Sequence, residues 1–158
     1  MANPAILFVD DEPNILRGLS RLLYTERRRW DLLFAADAET ALEIAASRPV
    51  EVVVSDLRMP GRDGLSLLET FTQRYPATIR MVLSGDADRN RHVTALGVVH
   101  QFLTKPFDGE QLKSKLERAF RLRALVPDER FRTLAGRLGR LPTLPDVYLK
   151  VERMLEDP

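Results

Sequence analysis

The sequence predicts an α/β fold, a parallel sheet covered by helices on both faces. Three observations carry that expectation: five apolar runs of strand length, helix-spaced segments alternating with them, and few polar residues inside the runs. Strands buried on both faces read as continuous apolar stretches, whereas a sheet with one wet face alternates apolar and polar positions. Strand and helix repeating in turn, joined by right-handed crossovers, give an open doubly wound sheet.

Ala5 to Val9 forms the first run, and Pro13 suits the first position of a helix whose apolar residues are Ile15, Leu19, Leu22 and Leu23. Leu32 to Ala35 is the second run. Asp37 is a candidate N-cap for the next helix, which carries Ala41, Leu42 and Ala45. Val50 to Val54 is the third run; it leads through Pro60, Gly61 and Gly64 into a helix bearing Leu65, Leu68 and Phe71. Ile79 to Leu83 is the fourth run and Val98 to Leu103 a weaker fifth. Asp108 with Gln111 fits a capping box before a last helix with Leu112, Leu116 and Phe120.

The bulk numbers point to a local site. Of 158 residues, 44% are apolar and 30% charged, as expected of one globular domain with a short appendage. Twenty-four Lys and Arg against 23 Asp and Glu give a net charge of +1, which provides no global attraction to nucleic acid or anionic membrane. The absence of cysteine removes disulfides, thiol catalysis and thiolate-bound metals. "MANPAILFVDDEP" lacks a basic n-region and a long apolar run, so neither a signal peptide nor a membrane span is expected, and a cytoplasmic location follows as the default.

Open parallel sheets bind ligands beyond the carboxyl ends of their strands. Here the first strand runs into Asp10, Asp11 and Glu12, the third into Asp56, the fourth into Ser84 and the fifth into Thr104 and Lys105. Like charges at ~4 Å repel by about 4 kcal/mol at an effective dielectric near 20, so such an acidic edge calls for compensation. A hard divalent cation with oxygen ligands, Mg²⁺ in particular, and the Lys105 ammonium are the candidates. Between them, a carboxylate can attack a phosphoryl group while its charge is neutralised, and Asp56 is best placed as that nucleophile.

"FVDDEP", "VVVSDLRMPGRDG", "MVLSG" and "FLTKPF" together resemble a two-component response-regulator receiver domain over roughly residues 4 to 124. The resemblance implies a flavodoxin-like (βα)5 fold of strand order 2-1-3-4-5, with Asp56 accepting a phosphoryl group from a sensor histidine kinase. It implies that Asp10, Asp11, Asp56 and the backbone carbonyl of Arg58 hold Mg²⁺ and that Lys105 contacts the phosphoryl oxygens. Ser84 and Phe102 then form the switch. Such a domain is a signalling phosphoacceptor, catalysing only its own phosphotransfer and dephosphorylation. Arg58 and Asp86, each two residues beyond a site residue, are expected to tune phosphate lifetime as an ion pair. His92 and His100 lack partner spacing and read as structural. Arg27, Arg28 and Arg29 read as a solvated helix end.

The chain divides in expectation into a receiver at 1–124, a helical linker at 125–140 and a fragment at 141–158. Phe120, Ala124, Phe131, Leu134, Leu138 and Leu141 fall on a broken heptad frame, so a homodimer through the linker is one possibility. "LGRLPTLPDVYLKVERMLEDP" resembles the opening of an HDOD output domain, whose full length exceeds what remains, so the chain is expected to be a fragment. The expected partners are a sensor histidine kinase and the chain's own output domain, with no direct nucleic-acid contact and no membrane. Two other readings compete. A haloacid-dehalogenase-type phosphatase also uses an aspartyl nucleophile, but its Asp-x-Asp pattern meets Arg58 here; a phosphorylation-independent interaction module would leave the acidic set unexplained. Nucleotide binding lacks a Gly-rich loop after the first strand.

Overall fold

A computed structural model describes residues 2–85 and 98–125. Five parallel strands form one sheet in the order β2-β1-β3-β4-β5: β1 Ala5–Val9, β2 Asp31–Ala35, β3 Val52–Asp56, β4 Ile79–Ser84 and β5 Gln101–Thr104. The helices are α1 Pro13–Leu22, α2 Ala38–Ser47, α3 Gly64–Arg74 and α4 Gly109–Leu125, with a 3-10 turn at Tyr24–Arg28. This is the doubly wound, flavodoxin-like order that the resemblance implied. The crossover between β4 and β5, with His92 and Asp86, lies outside the described residues, as do the linker beyond 125 and the 141–158 segment. No helix among the described residues is long and apolar enough to cross a membrane.

Alternate residues of the strands feed two cores, which is why the runs are apolar throughout. Leu7, Val9, Val53 and Val82 pack with Ala41, Leu67, Leu68 and Phe71 on the α2/α3 face. Ile6, Phe8, Val54 and Met81 pack with Leu19, Leu112 and Leu116 on the α1/α4 face. Each such side chain taken fully from water stabilises the fold by roughly 1.5–3 kcal/mol. The expected caps are present: Pro13 starts α1, Asp37 accepts from the Thr40 amide at 2.7 Å, and Asp108 and Gln111 exchange bonds at 2.8 and 3.0 Å. Leu22, expected on the apolar stripe of α1, instead stays 48% exposed.

Strand boundaries shift by one to three residues from the sequence expectation, and two of the shifts have a visible cause. β3 extends through Asp56, because that residue still pairs in register with Leu83 of β4. β5 starts only at Gln101, because the preceding residues bind a buried arginine. Arg80 is fully buried on β4; its amide donates to His100 Nδ1 at 2.9 Å and its Nε to the Val98 carbonyl at 2.6 Å. A side chain thus takes the place of a ladder carbonyl. Burial pulls the Arg80 pKa down to about 10, so it remains a cation near neutral pH. His100 is held well below its ordinary value, first by burial and then by Arg80, in keeping with its structural reading.

Candidate functional site

The edge formed by the strand ends brings the expected acids together. Asp10 follows β1 directly and its amide donates to the carbonyl of Ala35, the last residue of β2, at 3.1 Å, carrying the ladder one step past the end of β1. Asp56 closes β3. One ligand oxygen from each of Asp10, Asp11 and Asp56 lies within 4.8 Å of the others. Asp10 and Asp56 are buried, at 2% and 7% exposure, while Asp11 is more open. Lys105 leaves the end of β5 with its amide donating to the Ser84 carbonyl at 2.7 Å, across a cis Lys105–Pro106 peptide bond. Its Nζ stands 3.7 Å from Asp56 Oδ1 and 4.0 Å from Asp10 Oδ2.

The electrostatics of Asp10 are unusual. Its Oδ1 accepts from the Glu12 amide at 2.9 Å, whereas its buried Oδ2 accepts no hydrogen bond. Burial pushes its pKa from 3.8 up to about 6; the Glu12 amide opposes that shift, the Asp56 charge adds to it, Lys105 opposes it and Asp11 adds to it. A buried carboxylate oxygen with no donor is costly unless something positive reaches it. Three carboxylates that each offer an oxygen within 4.8 Å of the others, with one Asp10 oxygen buried and lacking a hydrogen-bond donor, fit a divalent cation of the Mg²⁺ type.

The remaining expected residues are placed as follows. Ser84 is fully buried at the end of β4, opposite Thr104, and Phe102 pairs with Val82 two residues lower on the same strand pair. Arg58 is exposed and borders an open groove with Met59, Pro60, Gly61 and Asp63. Its expected partner Asp86 lies outside the described residues. Two contributors were missed in the sequence reading. The Glu12 amide anchors Asp10, and the buried Ser55 hydroxyl donates to the Asp56 carbonyl at 2.9 Å. A lone hydroxyl inside "VVVSD" was the available signal for the second; a backbone amide leaves none.

A family model described as the response regulator receiver domain matches residues 6–117. The chain belongs to that family. Receiver domains are signalling phosphoacceptors rather than enzymes that turn over a substrate, and they bind Mg²⁺ at an acidic pocket. Among curated relatives, response regulator GtcR of Aneurinibacillus migulanus is 30% identical over 152 residues, covering 90% of this chain and 61% of that protein. The DNA-binding transcriptional regulator NtrC of Escherichia coli is 32% identical over 159 residues, covering 98% of this chain and 34% of its own length. The chain thus spans 61% and 34% of the length of these two relatives. A solved signal receiver domain of an HD domain-containing protein from Pseudomonas fluorescens matches with a TM-score of 0.70 at 37% identity, covering 75% of this chain and 95% of that one.

Proposed function

We propose that Asp56 accepts a phosphoryl group from the phosphohistidine of a sensor histidine kinase, in a reaction that requires Mg²⁺. The observation that carries this reading is the crowding of Asp10, Asp11 and Asp56 about one point, with Lys105 Nζ at 3.7 Å from the proposed nucleophile. A carboxylate oxygen of Asp56 attacks phosphorus; an O–P bond forms, the histidine N–P bond breaks, and the electron pair returns to the imidazole nitrogen. Asp10, Asp11, Asp56 and the Arg58 carbonyl would hold the metal, which when bound neutralises charge on the transferring oxygens. Lys105 orients the same oxygens from the β5 side, and Asp10 and Asp56, both buried, keep the nucleophile's surroundings poor in water.

The phosphoryl group then becomes a local charge that Ser84 and Lys105 move to meet, and Phe102, two positions down β5 from Thr104, follows Ser84. Arg58 with Asp86 would slow hydrolysis by hindering the attacking water, so Arg58→Asn shortens the lifetime of the phosphoprotein. The receiver occupies 1–124, a linker 125–140, and 141–158 begins an HDOD-type output that phosphorylation controls in the cytoplasm. The likeness to a receiver from an HD domain-containing protein supports that output class. The NtrC match supports a transcriptional output as the alternative for the whole protein.

Chemical mapping tests the acceptor. After exposure to acetyl phosphate and Mg²⁺, borohydride reduction and peptide mass spectrometry should mark Asp56 alone. Marking of another residue, or equal labelling of Asp56→Ala, refutes the assignment.

A further inference from the structure

Gly64 is the first residue of α3, and its backbone conformation is one that any residue adopts; among the described residues the positive-φ glycine is Gly61, at 75°. Gly64 is instead demanded by space. A Cβ built on it would lie 1.9 Å from the Asp56 carbonyl oxygen, 2.9 Å from the Asp56 carbonyl carbon and 3.0 Å from Leu57 Cα. All three are main-chain atoms, so no flexible side chain can swing aside. The loop after β3 therefore does not simply turn away from the site: it returns and lays an α-carbon on the peptide of the proposed phosphoacceptor.

Both sides of that contact are fixed. β3 is a central strand, paired with β1 and β4, and Asp56 is in register with Leu83. The start of α3 is set by Asp63, whose side chain accepts from the Ser66 amide at 2.8 Å, and its axis by Leu67, Leu68 and Phe71, all fully buried. The Gly64 amide donates to the Leu57 carbonyl at 3.2 Å, and the Ser55 hydroxyl holds the Asp56 carbonyl at 2.9 Å. When a side chain is forced between two anchored elements, the soft point is the Asp56–Leu57 peptide, which carries the Asp56 carboxylate with it.

We propose that Gly64 is a positioning residue for Asp56, with the Ser55 hydroxyl as its second support: the close approach of a side-chain-free residue sets the main chain of Asp56 and so aims its carboxylate at Lys105. The inference rests on the phosphoacceptor reading of Asp56. A misplacement on the order of 1 Å at a reacting group lowers a rate about 100-fold.

The full chain is compared as wild type, Gly64→Ala and Ser55→Ala, with Gly18→Ala as the control, since a Cβ at Gly18 meets nothing within 4 Å. Folding is first checked by circular dichroism. The initial rate of phosphoryl incorporation from acetyl phosphate at saturating Mg²⁺ is expected to fall about 100-fold in Gly64→Ala and to stay at the wild-type level in Gly18→Ala. In proton-nitrogen spectra recorded without donor or metal, the amides of Asp56, Leu57 and Lys105 are expected to shift in Gly64→Ala, which a merely destabilised α3 would not produce. A folded Gly64→Ala with the wild-type rate and unshifted amides overturns the proposal. Should Gly64→Ala fail to fold, Ser55→Ala decides: a slower rate with the same amides shifted supports the proposal, and wild-type behaviour overturns it. Should the wild type take up no phosphate, the phosphoacceptor reading falls and the amide shifts alone decide whether Gly64 positions Asp56.

Discussion

Two charged clusters of this receiver are built on opposite terms. On the 3-10 turn, buried Glu26 meets Arg29 at 2.9 Å and Lys113 of α4 at 2.9 Å, while Arg29 also reaches Glu117 at 3.1 Å. Two acids and two cations alternate at hydrogen-bonding distance. The Arg29 guanidinium also lies over Trp30, whose ring stacks on Phe120 at 5.5 Å. At the sheet edge, three carboxylates crowd together and the Lys105 ammonium stays 3.7 to 4.0 Å from two of them. The consequence is opposite titration: the Glu26 carboxyl is held below its ordinary value, first by the Lys113 hydrogen bond, and Asp10 is pushed above its own by burial. Satisfied charge holds the fold, and unsatisfied charge marks chemistry.

The largest effect separates the two clusters by what they do. Asp10→Asn should reduce phosphoryl incorporation by about 100-fold, the scale for loss of an electrostatic stabiliser at a reacting centre. Glu26→Ala should leave the incorporation rate unchanged. Rates measured with acetyl phosphate check both, and an equal loss in the two variants would erase the distinction drawn here.

The next effect is on stability against pH. Asp10 has a folded pKa of about 6 against 3.8, so its charged form penalises the metal-free fold above pH 6, and that penalty is relieved as pH falls toward 3.8. Thermal melts in a chelator should show the wild type gaining roughly 1 kcal/mol of stability from pH 7 to 5. Asp10→Asn should lose that gain. Mg²⁺ should bind more weakly over the same interval, because a proton competes for Asp10. Glu26 behaves in the reverse sense: its contribution is present above its ordinary 4.5 and is lost as pH falls below that value.

Smaller effects sharpen the picture on the structural side. Glu26→Ala should lower stability by on the order of 1 kcal/mol, since its partners are a third to half exposed and screened by solvent. Arg29→Gln should change denaturant midpoints by less than about 0.5 kcal/mol, its side chain being 53% exposed. If Arg29→Gln proved the more damaging, the weight of the cluster would lie in its contacts with Trp30 and Glu117 rather than at Glu26.

The sheet and its acidic edge were legible because both are written in local patterns. Continuous apolar runs encode burial on two faces, and Asp10, Asp56 and Lys105 each stand within two residues of the end of a run, so placing the strands placed the site. What escaped depends on tertiary contact. Arg29 read as part of a solvated helix end, yet it is bound to residues 3 and 88 positions away. Phe120 fitted a heptad frame, yet its ring lies on Trp30. Arg80, a charge within an apolar run, is fully buried because carbonyls at Val98 and Thr78 solvate it, an arrangement no periodicity reports. Gly64 read as part of the loop after the third strand, whereas a Cβ there would lie 1.9 Å from the Asp56 carbonyl oxygen.

The most direct measurement of the central claim is a Mg²⁺ titration of phosphoryl incorporation into the full chain at fixed acetyl phosphate, read by intact-protein mass spectrometry. Incorporation should rise saturably from nothing in chelator to one phosphoryl group per chain, at Asp56. Full labelling in chelator, or none at saturating Mg²⁺, would contradict the claim that the crowded acids at the sheet edge are a cation-dependent phosphoacceptor site.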